Sequence, residues 1–220
     1  MHTGLRLYQA IIDRSELLDL PFPEASRACG FTPDTLAGCF GEVSRSKPHD
    51  LHEALNRRRI DKIADFLNCS GFRVLQMADV FRWADYCLIQ STPLFTQAST
   101  SPVDLNHETA TYFKSVTQTN VLEPSFILEE LVASTWSTSL QEAATKVGLS
   151  LDKLRAWRSG KTVPSLKDLA DIRLIAKALE MGTPLVMMAL GVITSKDFTI
   201  NGKNVDIESE LNLALDVEIW

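Results

Sequence analysis

The spacing of small, capping and apolar residues between positions 139 and 164 constrains this chain more than any other feature. The stretch reads S-L-Q-E-A-A-T-K-V-G-L-S-L-D-K-L-R-A-W-R-S-G-K-T-V-P. Ala144 precedes Gly148, Ser150 follows, and Leu154 and Trp157 stand three apart before Gly160 and Pro164. A small residue at 144 lets a second helix cross the first closely. A glycine at 148 takes positive φ at a helix end without the steric penalty of a Cβ atom. Ser150 is placed to cap the next helix, on which residues 154 and 157 share one face. Gly160 ends that helix. The expectation is two helices joined by a turn of three or four residues, a helix-turn-helix.

This stretch resembles the phage-repressor-like (XRE-type) helix-turn-helix family. The likeness continues through residues 165–182, S-L-K-D-L-A-D-I-R-L-I-A-K-A-L-E-M-G, which look like the family's closing helix. The resemblance implies a recognition helix from Ser150 to about Ser159 laid in the major groove of double-stranded DNA. By position Ser150, Leu151, Asp152 and Lys153 meet base edges first, with Arg155 and Ala156 one turn on. Lys153 and Arg155 suit guanine O6 and N7, Asp152 suits cytosine N4, and Leu151 suits a thymine methyl group. Arg158 and Lys161 are placed for phosphates, which position a protein without reading sequence.

The overall charge runs against such a partner. The chain of 220 residues carries a formal net charge of −6, whereas phosphate contacts supply most non-specific DNA affinity. The distribution eases the conflict, although the acidic total also favours a protein-binding module. Residues 131–200 hold nine basic and six acidic side chains, and this is the net-positive block. A local basic face matters more to DNA than the total.

A second pattern lies nearer the N-terminus. Residues 23–40 read P-E-A-S-R-A-C-G-F-T-P-D-T-L-A-G-C-F. Ser26, Gly30 and Thr32 repeat the order of small residue, glycine and cap, and Pro33 suits a first helical position. In residues 46–67 the apolar positions Leu51, Leu55, Ile60, Ile63, Phe66 and Leu67 predict one long amphipathic helix. It carries the triplet Arg57, Arg58 and Arg59, which cannot all point one way, so some should pair with carboxylates such as Glu53 or Asp61. Further helices are expected within residues 73–89, with a turn at 83–85.

This order of helix-turn-helix, linking helix and helix-turn-helix resembles the DNA-binding domain of AraC-family activators. The linking stretch from Arg59 through Ile60, Ile63 and Ala64 to Leu67 carries the best part of the likeness. The second unit departs from the family at Arg82-Trp83 and at Pro93. The resemblance implies that Thr32, Asp34, Thr35 and Gly38 form the exposed side of a recognition helix. Lys47 and some of Arg57, Arg58 and Arg59 would then serve the DNA backbone.

Residues 96–125 are rich in Ser and Thr and weakly periodic, which reads as a domain boundary with a short helix around 107–116. The segment 124–133 opens the second domain. Thr183-Pro184 starts a helix apolar nearly all round, fit for a core or a dimer contact. Near the C-terminus F-T-I-N-G-K-N-V-D-I alternates about Asn201-Gly202, the strongest short hairpin signal. An isolated hairpin is marginal in water, so it must pack on something, and a partner subunit is one candidate.

Other classes find little support. Apolar content of 45% and charged content of 23% are ordinary for a globular protein. No apolar run reaches membrane-spanning length, and the N-terminus lacks a signal pattern, so a cytoplasmic protein is expected. Cys29, Cys39, Cys69 and Cys87 form no C-x-x-C pair and read as reduced, buried thiols. His49 and His52 lack a nearby third ligand. No G-x-S-x-G, P-loop or H-E-x-x-H pattern is present, so neither enzyme chemistry nor a cofactor or metal is expected.

The chain is thus expected to be mainly α, with multiple helix-turn-helix units in two helical domains and a short C-terminal β-hairpin. The expected division is 1–100, a linker at 101–123, 124–194, and a hairpin and tail at 195–220. The expected function is a sequence-specific DNA-binding transcriptional regulator. It would be a homodimer reading a composite operator, and an activator addressing RNA polymerase. Two alternatives are an architectural DNA binder aiding excision or recombination of a mobile element, and a protein-binding module with degenerate helix-turn-helix units.

Overall fold

The protein, described from a computed structural model, is mainly α-helical with a two-stranded antiparallel sheet near the C-terminus. The described residues are 4–40, 50–81, 124–206 and 209–210. They fall into two compact units. One contains residues up to 81 together with 196–205, and the other the remainder. The expected second helix-turn-helix of the N-terminal half runs past residue 81. Its later part, Lys47, His49, Cys87, the expected helix at 107–116 and the tail at 211–220 lie outside the described residues.

The first unit is built from α1 (Leu5–Leu17), α2 (Phe22–Ala28), α3 (Pro33–Phe40), α4 (Leu51–Ala54), α5 (Arg57–Leu67) and α6 (Gly71–Met77). Its core holds Leu7, Ile11, Leu36, Ile63, Phe72 and Leu75, each at most 1% exposed. Near its start, Asp79 accepts hydrogen bonds from the Gly4 amide and from Arg6, both at 2.6 Å.

The single helix expected over residues 46–67 is two helices within the described residues. Leu55 and Asn56 are extended (ψ 104° and 168°) between α4 and α5. The cause is local competition. Asn56 turns its side-chain oxygen to the Arg59 amide (3.0 Å) and caps a new helix. Arg59 then donates to the Ala54 carbonyl (2.6 Å), closing the end of α4. Leu55, the apolar residue that made the stripe look continuous, is buried at the break instead.

The second unit contains α7 (Pro124–Ser134), α8 (Leu140–Val147), α9 (Leu151–Arg158), a short 3-10 turn (Leu166–Asp168), α10 (Leu169–Ala178) and α11 (Thr183–Ala189). Its core gathers Ile127, Leu128, Leu131, Ala144, Leu154, Ile172 and Val186, all at most 1% exposed. The apolar helix starting at Thr183 takes the core alternative. Leu185, Val186, Met187, Ala189, Leu190 and Ile193 are buried, and α11 packs on α10 and α7. Those side chains are therefore not open to a dimer partner.

The hairpin forms where Asn201-Gly202 placed it. Strands β1 (Thr199–Ile200) and β2 (Lys203–Asn204) pair antiparallel, Thr199 opposite Asn204 and Ile200 opposite Lys203. Asn201 (φ 51°) and Gly202 (φ 74°) both take positive φ, as a type I′ turn demands. The hairpin's partner lies within the same chain. Phe198 stacks on Phe72 with centroids 4.8 Å apart, and Asn201 donates to Asn68 at 3.1 Å.

Candidate nucleic-acid interface

Two helix-turn-helix corners are present among the described residues, and each is made by the residues that signalled it. In the second unit Ser139 caps α8, accepting from the Glu142 amide at 3.2 Å. Glu142 in return accepts from the Thr138 amide and hydroxyl at 2.9 and 3.0 Å. The Thr138 amide, then Lys146 and the Thr138 hydroxyl, lower the Glu142 pKa to about 2. Gly148 ends α8 in the left-handed region (φ 80°), and the Leu149 amide closes on the Ala144 carbonyl at 2.8 Å. Ser150 caps α9 by accepting from the Lys153 amide at 3.4 Å. Leu154 (0% exposed) and Trp157 (3%) fix the buried face of α9.

With that face fixed, the outer face follows. Ser150, Asp152, Arg155, Arg158 and Lys161 are exposed, and Leu151 and Ala156 are half-exposed. Arg155 is on the outer face and pairs with no carboxylate among the described residues. Lys161 does likewise in the loop beyond, while Arg158 sits 3.7 Å from Glu129 across two exposed side chains. An exposed pair of this kind is weak.

Lys153 departs from its expected place. Its ammonium donates to Asp171 at 2.5 Å and to Asp168 at 3.1 Å, and lies 5.9 Å from the Trp157 ring centre. The Asp171 hydrogen bond outweighs partial burial and, with Asp168, raises the Lys153 pKa above its ordinary value. Lys153 thus staples α9 to the start of α10 and is not presented to a groove. Both carboxylates arrive from residues 15 and 18 positions downstream, beyond the reach of a local pattern. Asp168 also closes a capping box on Ser165.

The corner in the first unit pairs α2 with α3. Gly30 (φ 81°) makes the turn, and the Phe31 amide returns to the Ser26 carbonyl at 2.9 Å. Thr32 accepts from the Thr35 amide at 3.2 Å and starts α3. Thr32 and Asp34 are exposed and Thr35 is half-exposed. Gly38 is buried, contrary to its expected exposed position. The helix packs on both α2 and α4, and a glycine has no side chain to reach past such neighbours.

The arginine triplet divides as its geometry required. Arg58 is exposed. Arg57 pairs with Asp61 at 3.0 Å, as the four-residue spacing suggested, and also with Asp197 at 2.5 Å. Burial works against the Arg57 charge, but hydrogen bonds and charge from Asp197, then Asp61, hold its pKa above the ordinary value. Arg59 spans Gly30 and Ala54, donating to their carbonyls at 3.1 and 2.6 Å, with its guanidinium 4.7 Å from the Phe31 ring centre. Of the three, Arg58 is the one classed as exposed, while Arg57 and Arg59 are half-exposed and engaged.

One residue escaped the sequence reading. Trp136 is 92% exposed and stands at φ 51° in the α7–α8 turn. Lys146 holds the turn by donating to the Thr135 and Trp136 carbonyls at 2.9 and 3.0 Å. A bulky side chain in the left-handed region is uncommon, and nothing in the local pattern signalled it.

Elsewhere, His52 has a ring nitrogen 3.1 Å from the Ala78 carbonyl oxygen. Cys29, Cys39 and Cys69 are free thiols, with Cys29 buried and the other two half-buried. Burial pushes the Cys29 thiol up to about 12 and the Cys39 thiol up to about 11. Among the described residues no group of three potential ligands could hold a metal ion. No helix among them is long and apolar enough to cross a membrane. No family model, no curated protein and no solved structure matches the chain.

Proposed function

We propose that the protein is a sequence-specific DNA-binding transcriptional regulator that reads a composite operator through α9 and α3. The observation that carries this reading is the outer face of α9. A helix capped at Ser150 and locked by Leu154 and Trp157 presents Asp152 and Arg155, which pairs with no carboxylate among the described residues, with Arg158 and Lys161 beside them. Arg155 serves guanine O6 and N7, and Arg158 and Lys161 serve phosphates. Base reading passes from Lys153 to Arg155, because Lys153 is occupied by Asp168 and Asp171. In the first unit Thr32, Asp34 and Thr35 form the outer face, and Arg58 meets the backbone. The protein acts as a homodimer in the cytoplasm and favours activation through RNA polymerase.

The deciding measurement is genome-wide DNA occupancy of the wild type beside Arg155→Ala. Sharp peaks sharing a sequence motif and lost in the variant are expected. Peaks that survive would transfer base reading to the first unit. No peaks in either protein would sink the regulator reading.

A second reading rests on Trp136. An aromatic side chain on a pinned turn suits the centre of a protein interface, where tryptophan is enriched. If no DNA is occupied, a protein-binding module is the better description, and Trp136→Ala should release its partner.

A further inference from the structure

Residues 196–205 reach the first unit through one concentrated set of contacts. Asp197 is 0% exposed, yet carries a carboxylate. Both its oxygens accept from Arg57 Nη1 at 2.5 Å. Gly71 makes room for it: a Cβ atom there would stand 2.7 Å from Asp197 Oδ1 and 3.4 Å from its Cα. Next to it Phe198 stacks on Phe72, whose other neighbour is Phe81 with centroids 5.0 Å apart. The Asn201–Asn68 hydrogen bond completes the set.

Arg57 is the first residue of α5, and two positions later the same helix carries Arg59. Arg59 holds the Gly30 carbonyl and covers the Phe31 ring, while the Lys62 side chain lies over Gly30, its Cδ 3.0 Å from where a Cβ would stand. One side of α5 is thus gripped by residues 196–205. The other side grips the turn between α2 and α3. We propose that residues 196–205 are a strap that sets the N-terminal helix-turn-helix, with Asp197 as a positioning residue acting through Arg57 and α5 on the turn at Gly30 and Phe31.

A cleft of about 480 Å³ runs between α5 and the hairpin, lined by Asp61, Asn68, Lys196, Thr199 and Asn201 among others. Water therefore reaches the rim of the contact while Asp197 stays dry. Releasing the strap leaves Arg57 to Asp61 and solvent and leaves Arg59 on a less firmly placed helix. The strap's effect on DNA binding rests on the function proposed above; its effect on the turn does not.

The test is hydrogen exchange, read by mass spectrometry on the full chain. Wild type, Asp197→Ala, Asp197→Asn and Phe198→Leu are compared. In Asp197→Ala, exchange should rise by about tenfold or more in both residues 196–205 and residues 26–36, with residues 140–158 unchanged. Asp197→Asn, which keeps an acceptor, should give a smaller rise in the same two segments. Fast exchange in the strap with an unchanged turn would overturn the proposal. Should Asp197→Ala open the whole first unit, Phe198→Leu decides. A rise confined to the same two segments supports the strap, and a uniform rise refutes it. Operator binding of the same proteins separates the two claims: coupled exchange without DNA binding keeps the strap and removes the DNA reading. DNA binding with uncoupled exchange does the reverse.

Discussion

Gly148 and Glu142 show how single residues build the second corner. No atom lies within 4 Å of where a Gly148 Cβ would sit, so the site has room for a side chain and lacks only the conformation. Gly148→Ala should therefore cost about 1–2 kcal/mol through the left-handed backbone alone, measured by denaturant unfolding. Glu142 contributes through its charge. Its pKa is lowered from 4.5 to about 2, so its contribution is fully present above pH 4.5 and is lost as pH falls towards 2. Comparing acid unfolding of wild type and Glu142→Gln should give a difference constant from neutral pH to about 5 that shrinks below it. A difference independent of pH would contradict the cap. Cys29, with its thiolate suppressed, should resist alkylation at pH 8 until the first unit unfolds.

Helices here begin and end where a side chain takes over a backbone group, and the apolar stripe alone misleads. The break at Leu55 and Asn56 is the clearest case. Asn56→Ala should destabilise the first unit by about 0.5–2 kcal/mol in thermal or denaturant unfolding, as other cap deletions do. A smaller loss than 0.5 would mean that α4 and α5 can merge into the continuous helix the stripe implied. In α9 two neighbouring cations should separate by role. Arg155→Ala should cost about 1–3 kcal/mol of operator binding and relax specificity, with stability unchanged. Lys153→Ala should lower stability, since it breaks the ties to Asp168 and Asp171. Binding titrations beside melting curves of both variants would show whether the roles divide so. The capping residues, Ala144, Gly148, Leu154 and Trp157 were legible because helix caps and faces follow short fixed spacings. The fate of Lys153 was not, because its partners lie on the next element.

Across the whole molecule, the first unit is completed by residues more than a hundred positions away. The Arg57–Asp197 pair joins a half-exposed cation to a buried anion, and the two deletions should differ. Arg57→Ala strands a carboxylate that is 0% exposed, and its cost should fall at about 3–5 kcal/mol. Asp197→Ala removes the buried charge and leaves Arg57 with access to solvent and to Asp61, so the loss should be smaller. Equal losses in equilibrium unfolding would mean that the carboxylate is not the costly partner. Trp136, 92% exposed on a pinned turn, belongs to this scale too, because its side chain takes no part in its own unit's core.

Local chemistry determined much of this protein from sequence alone. The helical class, both helix-turn-helix corners, the core face of α9, and the hairpin at Asn201-Gly202 all follow from caps, glycines and periodicity. These are interactions within about four residues, where backbone geometry leaves few choices. Tertiary structure alone decided which cations are paired among the described residues and where the hairpin packs. Lys153, Arg57 and Arg59 looked like equals of Arg155 and Arg58. They are engaged instead by carboxylates and carbonyls, most of them brought from elsewhere in the chain. The hairpin found its place because Asp197 needed a cation and Phe198 a ring, and the first unit supplies both at Arg57 and Phe72. A buried charge must be paired wherever its partner lies in the chain, and that choice is made only when the chain closes on itself.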